Sequence, residues 1–262
     1  MERGHEMTAT TAETAQFDMG RVLQRTFQVT GRDFGPLFLI ALVPIGTMVV
    51  VGLIIGILLA ATGFHPDQGG ILAYIPQFIV AGLVIVVLAV ATAAFAQSAL
   101  TYRTIGDLNG ARASLNEAFT VAGRVWLPVV GVALLATVAF LAAFMLFIVP
   151  AIFLACVWTV IIPVQVIERR GVFQAFERSA ELTRGSRWRI LLLLLVVLVA
   201  YVVTRLLLVG LTAALGLIGS FATLLVSVVV TLIGAVLTTC IYYELRSIKE
   251  GVAPQALAQV FS

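Results

Sequence analysis

Residues 127 to 167 run for 41 positions without one Asp, Glu, Lys or Arg, and this run constrains the fold more than any other feature of the chain. As a single α-helix it would be about 60 Å long, twice the roughly 30 Å hydrocarbon thickness of a bilayer. Inside hydrocarbon every backbone amide needs an internal partner, so the run must be helical and must fold back on itself. Pro150 is the expected break, because it removes a donor and clashes with the preceding turn.

The rest of the chain repeats the pattern. Sixty-one per cent of the 262 residues are apolar and only 11% are charged, against about 25% charged in an ordinary soluble domain. These apolar residues come as continuous runs, which excludes both a soluble fold and disorder. Six spans are expected, at 37–61, 77–100, 127–148, 150–167, 190–213 and 220–243. The last two enclose a single charge, Arg205, and a turn signal at Gly216, Gly219 and Ser220. The fold class is therefore an all-α membrane protein with six transmembrane helices arranged as three hairpins. Residues 17–246 are expected to form one membrane domain, between a disordered tail at 1–16 and a second tail at 247–262. No cleaved signal is expected, since 1–16 are polar.

Lys and Arg accumulate in cytoplasmic connections. Four precede the first span, three lie in 101–126, six in 168–189 and two after residue 243, leaving only Arg205 of the sixteen. The outer loops at 62–76, 149 and 214–219 contain none, so both termini are expected in the cytoplasm. Arginines flanking spans account for the net charge of +3, and no nucleic-acid partner is called for.

Polar joints precede the three hairpins and align without gaps at 26–37, 118–129 and 180–191. In each, a glycine (Gly31, Gly123, Gly185) stands three residues before an aromatic (Phe34, Trp126, Trp188). Each joint is amphipathic at helical spacing: Met19, Leu23, Thr26, Phe27, Thr30 and Phe34; Leu115, Ala118, Phe119, Ala122 and Trp126; Phe173, Phe176, Ala180 and Thr183. An interfacial helix is expected before every hairpin, with the glycine turning the chain into the span. Ser114 and Glu117 have capping-box spacing for the second of these helices.

The densest polar chemistry lies in 168–189. Arg178, Arg184, Arg187, Trp188 and Arg189 are candidates for contact with anionic lipid headgroups or with the acidic surface of a partner protein at the cytoplasmic face. The plainer reading is a positive-inside determinant braced by pairs such as Arg178 with Glu181. Within the spans, Arg205, Gln97 and Gln165 are the polar candidates. Arg205 stands about 24 Å along a helix beginning near Arg189, where its guanidinium is expected to snorkel to the outer headgroups; the glutamines are expected to act as interhelical glue. Gly52 with Gly56, and Ala89 with Ala93, are small-residue pairs suited to close packing. Cys156 and Cys240 lie at different depths and are expected as free thiols. Two histidines, His5 and His65, are too few and too far apart for a metal site, and no nucleophile with a base is visible. No catalytic residue, metal or cofactor is therefore expected.

A set of these residues resembles a known family. Val149-Pro150-Ala151-Ile152-Phe153, Pro163, Glu168, Ala175-Phe176-Glu177-Arg178-Ser179, Leu182 to Ile190, Tyr242-Tyr243-Glu244-Leu245-Arg246 and Glu250-Gly251 are similar to the membrane domain of some glycerophosphoryl diester phosphodiesterases and of related uncharacterised bacterial inner-membrane proteins. The resemblance implies a multi-span bundle in a bacterial inner membrane. It does not imply an activity, because the catalytic barrel of those enzymes needs about 250 further residues with metal ligands of its own. The expected function is thus non-enzymatic, an accessory or scaffold bundle at the lipid-headgroup interface; the alternative is a transporter or channel for a small or lipidic molecule.

Overall fold

A computed structural model of the chain describes residues 16–61 and 75–251. Residues 62–74 of the outer loop expected at 62–76, 1–15 of the tail expected at 1–16 and 252–262 of the tail expected at 247–262 lie outside the described residues. Among the described residues there are nine α-helices and no strand: α1 (Met19–Arg32), α2 (Phe34–Ala61), α3 (Ile75–Leu108), α4 (Leu115–Leu146), α5 (Ile148–Val157), α6 (Ile161–Glu168), α7 (Val172–Thr183), α8 (Arg187–Leu215) and α9 (Leu217–Glu250). Six segments are long and apolar enough to cross a membrane, the pair α5–α6 counting as one. The chain is a multi-pass integral membrane protein.

The charge-free run does break, three residues earlier than expected. Phe147, in extended conformation (φ −164°, ψ 152°), separates α4 from α5. Pro150 stands in the first turn of α5, where a missing N–H costs nothing because the first four amides of a helix have no intrahelical acceptor. A second break, at residues 158–160, divides that pass into α5 and α6. Pro163 explains it: its ring opposes the carbonyl of residue 159, so the helix cannot run through. The amide of Ile161 turns to the carbonyl of Trp158 (3.1 Å), which frees the carbonyl of Val157. Two hydroxyls of α7 take its place, Ser179 Oγ at 2.8 Å and Thr183 Oγ1 at 3.5 Å. Trp158 packs edge-on against Phe176 at 4.9 Å between ring centres, so the broken span and α7 form one unit.

The joints differ from their expected equivalence. Asp18 caps α1 by accepting from the amides of Gly20 and Arg21, and Ser114 with Glu117 forms the expected capping box of α4. Yet α4 is continuous from 115 to 146, so the second amphipathic segment is the first part of a span and Gly123 turns nothing. Gly31 is also helical, and the first break falls at Asp33. Only Gly185 uses its conformational freedom, with φ +91°. The buried faces shift accordingly. In α1 they comprise Val22, Thr26, Val29 and Thr30 while Phe27 is exposed. In α7 they comprise Ala175, Ser179, Leu182 and Thr183 while Phe173 is exposed.

Three helices outrun the expected spans by seven residues or more at one end. α3 extends to Leu108, α4 begins at Leu115, and α9 ends at Glu250, where Gly251 adopts φ +58°; residues 247–250 are therefore helical. A 34-residue helix is about 51 Å long and must project beyond a hydrocarbon layer of about 30 Å. The tightest part of the core lies toward this projecting end, around Leu37, Ile40, Leu100, Ile105, Leu182, Ile190, Leu232, Ile241, Tyr242 and Leu245, all fully buried. α9 is the central element, packing on α1, α2, α3, α6, α7 and α8.

Candidate functional site

The projecting ends of α3, α6 and α9 bring charge into a packed layer. Glu244 of α9 is fully buried and accepts from two arginines of α1, Arg21 Nη1 at 2.8 Å and Arg25 Nη1 at 2.6 Å. These arginines are four residues apart, one helical turn, so both reach one carboxylate. Arg25 also lies over the Tyr243 ring at 5.3 Å. Across the layer, Arg103 of α3 is buried and grips Asp33 with two N–H groups, Nη2 to Oδ1 at 2.9 Å and Nε to Oδ2, while its Nη1 donates to the carbonyl of Ala113 at 2.8 Å. One guanidinium thus joins the α1–α2 break to the α3–α4 loop. Bidentate pairs of this kind carry orientation as well as attraction.

A third cluster surrounds Glu168 at the end of α6. Its carboxylate accepts from Arg178 Nε (3.0 Å) and from the Tyr242 hydroxyl (3.2 Å) and forms an ion pair with Arg170 (2.8 Å). Arg178 continues to Glu250, which holds Arg246, which in turn donates to Tyr242 Oη at 2.9 Å. The cycle links α6, α7 and α9 through residues far apart in sequence. Gln165, 2% exposed, donates to the carbonyl of Arg170 at 2.7 Å and so supports the left-handed turn at Arg169 (φ +47°).

The five candidates of the 168–189 segment therefore separate into three groups. Arg178 faces inward and belongs to the Glu168 cycle, with the expected Arg178–Glu181 pair also present at 3.6 Å. Arg184 and Trp188 are exposed, Trp188 by 82%. Arg187 is half-buried over the Phe153 ring at 5.2 Å, and Arg189 reaches back to the carbonyl of Phe17 (3.4 Å) and Gln16 Oε1 (2.5 Å). Arg184 and Arg187 line an open groove with Glu177, Ala180 and Glu181. Exposed Phe173 stands on the same helix.

The membrane-depth candidates are not brought together. Gln97 of α3 donates to Thr238 Oγ1 of α9 at 2.9 Å, and a neighbouring bond joins Thr101 to Thr239 at 3.2 Å. Arg205 lies elsewhere, between α8 and α9 and exposed, donating to Ser227 Oγ at 3.3 Å. Of the expected pair, Ala89 is half-buried and Ala93 exposed; the buried alanines of α3 are Ala91, Ala94, Ala96 and Ala99. Gly52 and Gly56 are exposed and face open space, so neither brings a second helix close. Cys156 and Cys240 are free and buried.

Sequence reasoning missed the carboxylates Asp33, Glu168 and Glu244 as organising centres, because it placed them in connections flanking the spans. A signal was present: Arg21 and Arg25 at one-turn spacing, and the single acidic residue in the Tyr-Tyr-Glu-Leu-Arg stretch.

The family model described as a domain of unknown function (DUF8558) matches residues 112–259, from the start of α4 to beyond the end of α9. This region contains Glu168, Arg178, Glu244 and Glu250. No curated protein and no solved structure matches the chain.

Proposed function

Since the chain belongs to the DUF8558 family, whose description carries no activity, we propose its role from its own geometry: a non-enzymatic scaffold bundle that presents a braced, cationic face to lipid headgroups. The observation that carries this reading is the division of labour among the arginines. Arg21, Arg25, Arg103 and Arg178 are held by internal carboxylates, whereas Arg184 and Trp188 project from the same layer, exposed. A cation beside an exposed indole suits the headgroup region, where amphipathic aromatics concentrate and each basic residue near an anionic leaflet is worth about 1 kcal/mol.

In this proposal the chain forms three membrane hairpins with the charged layer in the cytoplasm of a bacterium and the bundle in its inner membrane; α1 and α7 lie along the headgroup plane. The motifs that resemble phosphodiesterase-linked membrane domains (Glu168, Arg178, Ser179, Tyr242, Glu244, Glu250) are the ones that tie α6, α7, α9 and α1 together, which supports reading that resemblance as shared architecture. The partner is then a protein docking on the cytoplasmic face, acting on phospholipid headgroups. Gln97 and Gln165 are engaged by Thr238 and a backbone carbonyl, which favours a scaffold over a polar transport path.

Affinity purification of the full chain in mild detergent, with mass spectrometry of retained lipids and proteins, tests the proposal. Anionic phospholipid should be enriched over phosphatidylcholine, and the Arg184→Ala/Trp188→Ala double variant should lose that preference without loss of thermal stability. Equal lipid retention by that variant would remove the basis of the reading.

A further inference from the structure

Arg205 occupies a groove of about 220 Å3 lined by Ile45, Tyr201, Leu208, Val226, Ser227, Val230 and Thr231, drawn from α2, α8 and α9. Its guanidinium has five N–H donors. One reaches Ser227 Oγ at 3.3 Å, and the π face lies 5.8 Å from the centre of the Tyr201 ring. No carboxylate among the described residues pairs with it. The nearby hydroxyls donate to their own helix, Ser227 to the carbonyl of Thr223 (2.8 Å) and Thr231 to that of Ser227 (2.9 Å), so they neither neutralise the cation nor compete for an anion.

The depth of this cation follows from helix geometry. Sixteen residues separate it from Arg189, about 24 Å along α8, so with Arg189 at the headgroups of the charged face Arg205 falls about 6 Å short of the opposite hydrocarbon boundary. Contacts step outward from Gly216: Leu211 and Thr212 touch Gly219, Thr212 meets Thr223 at 2.9 Å, and Arg205 meets Ser227. Arg205 meets Ser227 across the α8–α9 seam, and its Cα is about 6 Å from the nearer boundary. An arginine stem covers that distance. An unpaired guanidinium at this depth is costly unless it reaches an anion or water.

We propose that the Arg205 groove binds the phosphate of a phospholipid in the leaflet opposite the charged layer. Arg205 supplies charge-assisted donors to the phosphate oxygens. Ile45, Leu208, Val226 and Val230 supply an apolar wall for the attached glycerol and acyl chain, which is why the anion is a lipid's and not a free ion. The site is independent of the cytoplasmic-face reading, since it shares no residue with it.

The test uses the full chain in detergent, with native mass spectrometry and thermal unfolding against one additive at a time: phosphatidylglycerol, phosphatidylcholine, diacylglycerol or inorganic phosphate. Both phospholipids should bind and raise Tm, and the other two should not. Arg205→Leu should weaken phospholipid binding at this site at least about tenfold, the loss of one charge-assisted pair. Thr231→Trp, which fills the groove and keeps the cation, should do the same. A photoreactive phospholipid on the unaltered chain should crosslink within 201–208 and 226–231, a readout that needs no variant to fold. Crosslinks confined to 173–189, stabilisation by inorganic phosphate alone, or diacylglycerol binding equal to phospholipid would each overturn the proposal.

Discussion

Arg25 donates to Glu244 at 2.6 Å, joining the first described helix to the last across 219 residues of sequence. Glu244 is fully buried, whereas Arg21 and Arg25 keep 51% and 30% of their side chains exposed. That difference sets an asymmetry. Arg21→Ala with Arg25→Ala strands a carboxylate in a packed layer and should cost about 3–5 kcal/mol. Glu244→Gln leaves cations that water can reach and should cost less than half as much. Thermal or denaturant unfolding in detergent gives the order; a larger loss in Glu244→Gln would show that the carboxylate has another source of solvation.

The break at 158–160 depends on Ser179 and Thr183, which replace the bond lost by the Val157 carbonyl. Ser179→Ala combined with Thr183→Val leaves a buried acceptor without a partner and should destabilise by about 1–3 kcal/mol. Ser179→Thr keeps a hydroxyl and should recover part of it. An unchanged Tm in the double variant would mean that water satisfies the carbonyl.

Charge reversal at Arg184, Arg187 and Arg189 together should lower inserted yield or disturb the α8–α9 pass, because half of the basic residues in the largest connection are lost. The single Arg184→Glu should leave insertion intact, since that side chain is exposed, while weakening retention of anionic lipid by roughly fivefold. Fractionation and lipid analysis of the two variants separate a topological role from a binding one.

Orientation is open to chemical labelling. With Cys156 and Cys240 changed to Ala, single cysteines at Asp67 and Gln68 should react with an impermeant maleimide added outside intact cells. Cysteines at Asn116 and Ala256 should react only after permeabilisation. Reaction at position 256 in intact cells would contradict an even number of crossings.

Six continuous apolar runs in a chain with 11% charge determine a helical membrane protein on their own, because hydrocarbon allows only helices and closed barrels, and barrel strands would alternate apolar with polar residues. The capping box at Ser114, the necessity of a reversal inside 127–167 and the isolation of Arg205 follow from local chemistry in the same way. Where the helices end was decided by tertiary structure. Arg103, Glu244 and Glu250 remain helical beyond the expected span limits because Asp33, Arg21, Arg25 and Arg178, distant in sequence, hold them there; a sequence window sees only a charge that should end an apolar run. The equivalence of the three joints failed for a related reason. Gly123 lies in a helix and Gly185 in a turn, since a glycine permits a positive φ without demanding it, and the packing around each joint makes the choice.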